Sequence, residues 1–446
     1  MSRPTPWLVG AGTTLIMTAT FAVSAARQHG RKIDKAPEQD PVKNAIEKVE
    51  QGRQTFRFDT FGDEAFWGDT LKLHQAIEGA AHGGVGPGVS PRTALSVGLK
   101  IDVDALPSNV MEQIAKGHVN LDDPAVTLAL LRFNAVIGVK GTFSSWDTLQ
   151  SVGIQCSLCH STVDNSNPSL CFDAVVPNPG TGCIGHRLDA WSNRDLNIGA
   201  IVALAPDLSA VTALLGVDQA TVRSVLRSWG PGKFDAELFL DGKAANPQQV
   251  TDGVVTGTNV RGATLIPPAF GLGGVNLHTW TGWGSVPHWN AFAVHGFGDL
   301  PHISPDDDRI TPKLSDLQFY QLSIPSPQPR AGSFDAEAAD RGDELFSGKA
   351  RCNNCHVEPL WTDPGWNLHT PAEICVDSFQ TDRAPDRRYR TSPIGALFTH
   401  TKGGFYHDGR FATLNAVVDH YNTCMNLNLA AGEKADLVQY LLSLTF

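Results

Sequence analysis

The chain has 446 residues, enough for more than one hydrophobic core, and 41% of them are hydrophobic, an ordinary share for a soluble protein. Its net charge of −11 offers no basic footprint for nucleic acid or an anionic membrane, and leaves a basic protein as the natural electrostatic partner. Eight cysteines are too few to make a disulfide scaffold of a chain this long.

The N-terminus has the pattern of an export signal. Arg3 precedes an uncharged, apolar or small stretch over residues 7–23, and Val23-Ser24-Ala25-Ala26 offers small residues for cleavage before Arg27. Residues 1–26 are therefore expected to be a signal peptide. An uncleaved N-terminal anchor is the alternative, because the stretch approaches the length of a membrane span. Either places the remainder outside the cytoplasm, in the periplasm.

Residues 27–124 read as an extra helical region, with helical spacing over 42–56. Asp122-Asp123-Pro124 is a helix start, predicting a helix through 128–136 that stops near Gly138. Asp218 caps a helix over 219–229. Residues 241–268 are rich in Gly, Asn, Thr and Pro and read as loop, and 271–298 is dense in Trp, His and Gly. After the Pro-rich stretch 325–329, further helices are expected over 335–346, from Thr413 to about Tyr421, and over 433–444. Few segments alternate with period two, so the expected class is mainly α.

Two motifs carry the chemistry. Cys156-Ser-Leu-Cys159-His160 and Cys352-Asn-Asn-Cys355-His356 are both Cys-x-x-Cys-His, the signature of covalent c-type haem attachment. The thiols at this spacing lie on one helical turn and add to the two vinyl groups of one haem. The adjacent His160 or His356 then faces the iron. A four-cysteine zinc site is the competing use of two such pairs. Export, and a histidine after each pair, argue against it. The second axial ligand of each iron decides function: a strong ligand favours electron transfer, an open position permits peroxide or oxygen to bind.

The surrounding segments resemble the bacterial dihaem cytochrome c peroxidase superfamily, which includes MauG-type enzymes and rubber-cleaving dihaem oxygenases. The resemblance rests on the segment 342–346 before Cys352, then on Tyr389-Arg-Thr-Ser-Pro-Ile394, Phe405-Tyr-His-Asp-Gly-Arg410, Ala412-Thr-Leu414 and the helix at Ala435-Asp-Leu-Val438. It continues around 156–200 and, more weakly, at 267–292. It implies two cytochrome c-like haem domains, over 125–330 and 331–446, with extra N-terminal helices and an insertion near 207–260. It implies two covalent haems c, the N-terminal one reactive towards hydrogen peroxide or O2 and the C-terminal one transferring electrons. Calcium is held by many members of the family and is a further candidate. The electron source would be a small periplasmic cytochrome c or cupredoxin, or an organic or protein substrate. A homodimer is a candidate assembly. A non-catalytic electron carrier remains the alternative function.

In the peroxidases a Ser-Ile-Gly-His-like segment supplies the displaceable distal ligand; Cys183-Ile184-Gly185-His186 matches it, which marks His186. The peroxidases' axial methionine for the second haem corresponds to Tyr421, as in MauG-type enzymes where tyrosine serves. Met425 and His407 are the other candidates. The Gln and Glu that the peroxidases hold over the reactive haem have no counterpart here; His278 and His288 are candidates for the proton work. Trp280 and Trp283, with Trp289, Trp361 and Trp366, are candidate electron relays. Cys171 with Cys183, and Cys375 with Cys424, are candidate disulfides in an oxidising compartment.

Overall fold

Many of the described helices begin where side-chain chemistry satisfies the free N–H groups of a helix start. In the computed structural model, Asp123, Asp218, Asp335 and Thr413 each accept a backbone N–H as the N-caps of the helices Pro124–Arg132, Gln219–Ser228, Ala336–Ser347 and Leu414–Cys424. The last runs beyond Tyr421 to Cys424. The structure describes residues 41–144, 148–164, 166–167, 182–215, 218–234, 263–282, 284–297, 308, 310–363, 367–378 and 380–446. The export signal, Cys171, Trp283, Trp366 and most of the loop expected over 241–268 lie outside them.

The helix begun by Asp123 ends sooner than its pattern predicts. Asn134 adopts a left-handed backbone (φ 53°), and the N–H groups of Asn134 and Ala135 fold back onto the carbonyls of Leu131 and Leu130 at 3.0 Å. This is a helix stop that asparagine supports well.

The chain divides into two units, Met1–Asn44 and Ala45–Phe446. Within the second, helices dominate, and the described strands form only two-stranded sheets. The longest pairs Val139–Phe143 with Leu149–Ile154 in antiparallel register, Val139 opposite Ile154. This ribbon, absent from the predicted elements, leads directly into Cys156. One large apolar core runs from Trp67 to Ile266 and a second from Phe346 to Leu444. The second is built around the helices Ala336–Ser347 and Ala431–Ser443, which cross so closely at Gly342 that an added Cβ would lie 2.3 Å from the Asp436 carbonyl oxygen. Among the described residues, no helix is long and apolar enough to cross a membrane.

Residues 56–67 pack against the first Cys-x-x-Cys-His motif and the ribbon that leads into it. Phe56 and Phe61 pack in one apolar cluster with Cys156, Ile310 and Leu317. Asp63 accepts the Ile154 N–H at 3.0 Å and the Trp67 indole N–H at 3.0 Å. The sequence assigned this region no role.

Candidate functional site

The ribbon ends at Ile154, and Cys156 opens the single-turn helix Ser157–His160. That turn packs against Gly138, whose φ of +81° and approach to within 2.1 Å of the Leu158 backbone for an added Cβ both demand glycine. Its carbonyls are taken up by the next segment: Asn193 N–H donates to Cys159 O at 2.8 Å and Ala190 N–H to His160 O at 2.7 Å. Burial pushes the Cys156 and Cys159 thiols up to about 12 and the His160 imidazole down to about 4, so the ring is neutral. All three keep some accessible surface, so some space is left beside them. His160 Nδ1 makes no hydrogen bond, although the Pro267 carbonyl lies close enough to oppose the effect of burial.

At the second motif the space is a cavity of about 550 Å³, within the range of cofactor sites. Cys352, Cys355 and His356 border it, together with Leu414, Val418, Leu437, Tyr421 and Met425. His356 shares its Nδ1 proton with the Trp361 carbonyl at 3.0 Å, which leaves Nε2 for a metal. Trp361 is fixed in turn by its indole N–H to Thr445 O at 2.8 Å and by edge contacts with Phe346 and Tyr440. Burial holds His356 down at about 4.

The walls of this cavity contain polar atoms that fit haem. Arg194 and Arg390 border it and form no ion pair among the described residues; burial pulls both guanidinium groups down to about 10. Arg194 donates to the carbonyls of Gly403 (2.8 Å) and Gly404 (3.0 Å), and Arg390 to Leu277 O (2.5 Å), while Arg390 Nε is buried without a partner. An enclosed cation without a counter-ion is costly, so an anionic group belongs beside it. A haem's two propionates meet that need, and its apolar macrocycle suits the leucine and valine walls. His400 Nδ1 and the Tyr406 hydroxyl, also at this cavity, are likewise buried and unpartnered.

The three residues expected as candidate axial ligands at the second motif differ in surroundings. Tyr421 borders the cavity from the helix Leu414–Cys424. Met425 borders it too but is 37% exposed. His407 is buried, and its Nε2 is engaged by the Tyr389 hydroxyl at 3.4 Å and the Asp377 carboxylate at 3.5 Å while its ring stacks on Tyr389. Asp377, His407 and Asp408 are near enough to share a cation, but the Arg410 guanidinium already pairs with both acids. That leaves no reason to place calcium there.

Several expected residues stand elsewhere than their motifs suggested. His186 does not enter the first site. Its side chain is 56% exposed and pairs through Nδ1 with Asp104 at 2.9 Å, on the outer end of the Arg187–Asp189 strand. His288 is exposed at the start of the helix Val286–Phe297, and Trp289 lies edge-on to it. His278 and Trp280, expected over the first haem, lie by the second cavity. Trp280 borders the cavity, donates to Leu265 O at 3.2 Å and accepts from Arg390 N–H at 3.1 Å. His278 is held down at about 4 by burial and by the Arg390 charge. The segment 265–270 touches both sites, since it borders the cavity and also brings Pro267 O to His160. Cys375 and Cys424 form the expected disulfide, with Cα atoms 6.0 Å apart. Cys183 is disulfide-bonded and buried.

Sequence reasoning passed over Arg194 and His400, and gave Tyr406 no role within the quoted segment Phe405–Arg410. Arg390 stood inside a quoted segment without a role. Each is polar and lies far along the chain from Cys352, so only the fold brings it to the motif.

No protein-family model matches the chain. Among curated proteins it is similar to the methylamine utilization protein MauG of Methylorubrum extorquens, 28% identical over 144 residues, which are 31% of this chain and 40% of that protein. The chain thus spans about 40% of the length of the curated relative it matches. Among solved structures it is similar to a MauG-like protein associated with microbial copper homeostasis (20% identity, TM-score 0.31, covering 41% of this chain and 73% of that one). It is also similar to the hydrazine synthase of Kuenenia stuttgartiensis (17% identity, TM-score 0.28, covering 52% and 92%).

Proposed function

We propose that this chain, a relative of MauG by sequence, is a dihaem c-type oxidoreductase that uses hydrogen peroxide. The cavity at Cys352–His356 carries the reading, because it joins attachment thiols, a neutral and oriented imidazole, apolar walls and two uncompensated arginines. Cys352 and Cys355 would hold one haem as thioethers, His356 Nε2 and the Tyr421 oxygen would bind its iron, and Arg194 and Arg390 would meet its propionates. Cys156, Cys159 and His160 would hold the other. When bound, the haems supply redox-active iron, which accepts electrons and, where an axial position is open, peroxide or oxygen.

The chain's own residues supply the rest. A phenol oxygen at Tyr421 is a harder ligand than a methionine thioether, favours ferric iron and suits an oxidising enzyme. With His186 at the surface, the first site has no distal histidine from that segment, which favours an open position there. Trp280 and the segment 265–270 offer an aromatic and a backbone link between the two sites. The acidic surface suits a basic donor such as a small cytochrome c or cupredoxin in the periplasm.

Low-temperature EPR and optical spectra of the ferric protein, taken before and after one equivalent of peroxide, test this reading. A high-spin haem beside a low-spin one, with rapid loss of ferric signal, is the expected result. Two low-spin haems inert to peroxide, even after one-electron reduction, would establish an electron carrier instead. A response to O2 and reductant, with none to peroxide, would favour an oxygenase.

A further inference from the structure

Tyr406 stands in a backbone conformation that its side chain disfavours. Its φ is +69°, in the left-handed region where glycine or asparagine is usual and a bulky residue is an outlier. The turn it opens closes at Gly409, whose N–H donates to the Tyr406 carbonyl at 3.2 Å. A glycine at 406 would make that turn without strain, so the reason for tyrosine lies in the side chain.

The side chain points to the second haem site. The ring packs edge-on against Phe411 (4.9 Å) and His420 (5.5 Å) and sits 6.0 Å from the Tyr421 ring. The hydroxyl belongs to the wall of the cavity that Cys352, Cys355 and His356 border, and its oxygen is buried without a partner. The two tyrosine hydroxyls lie close enough to perturb one another, although Tyr406 falls short of hydrogen-bond geometry. A buried hydroxyl left unsatisfied is costly, so a donor held at this place is expected to have an acceptor in the working protein.

We infer that Tyr406 is a positioning residue for the second haem: its O–H donates to the Tyr421 oxygen that holds the iron, and so weakens that oxygen as a donor. This rests on the reading of Tyr421 as axial ligand. A hydrogen bond to a ligating oxygen draws electron density from the iron and favours the ferrous state. Tyr406 therefore offsets part of the ferric bias that a phenolate imposes.

The test uses the full protein with both haems. Resonance Raman spectra in the phenolate-to-iron charge-transfer band, in H2O and D2O, are compared for wild type, Tyr406→Phe and Tyr421→Phe, with potentiometric titration of the C-terminal haem. The expected wild type shows phenolate modes that shift in D2O. Tyr406→Phe keeps the modes, loses the isotope shift and moves the ferric-to-ferrous ratio at fixed potential about tenfold towards ferric, a fall of about 59 mV in midpoint. Tyr421→Phe loses the modes. Wild-type modes that do not respond to D2O overturn the inference without any variant, as does a Tyr406→Phe protein with unchanged midpoint. If Tyr421→Phe retains the modes, the axial reading itself fails. If Tyr406→Phe alone abolishes them, Tyr406 is the ligand and both statements are wrong.

Discussion

Arg57 Nε donates to Asp189 Oδ2 at 2.5 Å, tying the helix Pro41–Phe58 to the strand Arg187–Asp189. The same carboxylate accepts the Tyr320 hydroxyl at 2.5 Å and the Ser161 hydroxyl at 2.9 Å. Ser161 follows His160 directly, so one buried acid gathers three elements around the first haem motif. Replacing Asp189 with alanine leaves Arg57 without its counter-ion, and about 3–5 kcal/mol of stability should be lost. Denaturant titration measures the loss, and pyridine haemochrome assays should show less than two haems per chain.

Asp63 should give the chain a distinctive pH dependence. Burial raises its carboxyl from 3.8 to about 8, opposed by the Ile154 and Trp67 hydrogen bonds. Between those values the folded protein keeps a proton that the unfolded chain has lost. Asp63 thus stabilises fully below pH 4, and its contribution falls as pH rises to 8, by up to about 1.4 kcal/mol per unit. Asp63→Asn should remove that slope. The difference in unfolding free energy between wild type and variant, measured at pH 5, 7 and 9, should favour the variant increasingly with pH.

The Cys375–Cys424 disulfide closes a span of 49 residues and anchors the helix that carries Tyr421. The chain-entropy estimate gives about 4 kcal/mol for a loop of this size. A double serine variant should lose about that much unfolding free energy in a denaturant titration. Wild type should match it once reductant is added.

Arg390 is expected to set the potential of the second haem. Arg390→Gln removes a positive charge beside the cavity and should disfavour the ferrous state by on the order of 1–2 kcal/mol, the Coulomb energy at roughly 10 Å and an effective dielectric of about 20. Spectroelectrochemical titration of that haem should show the lower midpoint. An unchanged midpoint would place the propionates elsewhere.

What could be read from the sequence was local chemistry. The caps at Asp123, Asp218, Asp335 and Thr413 act within four residues of themselves, and the Cys-x-x-Cys-His pairs need only one turn. The cavity's charges were not legible. Arg194 reaches Gly403 and Gly404 across more than two hundred residues, and nothing near it in sequence indicates that contact. His186 sits in a segment that matches a family motif, yet Asp104 holds it at the surface, and Asp104 belongs to a region without a counterpart in the resemblance. Trp280 was expected over the first motif and borders the second cavity, and the segment that leads to it touches both sites, since Pro267 lies by His160.

The tripeptide Asn193-Arg194-Asp195 fastens three places at once: Asn193 holds Cys159, Arg194 the 403–404 loop, and Asp195 both Lys100 and Lys402. The turn at residues 330–333 is exposed and so open to a protease. Cleavage there would leave two fragments that still migrate as one particle, because Arg194 and Asp195 bind the 402–404 loop across the cut, as do Arg390 with Leu277 O and Leu265 N–H with His407 O. One residue inserted within 193–195 would put all three fastenings out of register.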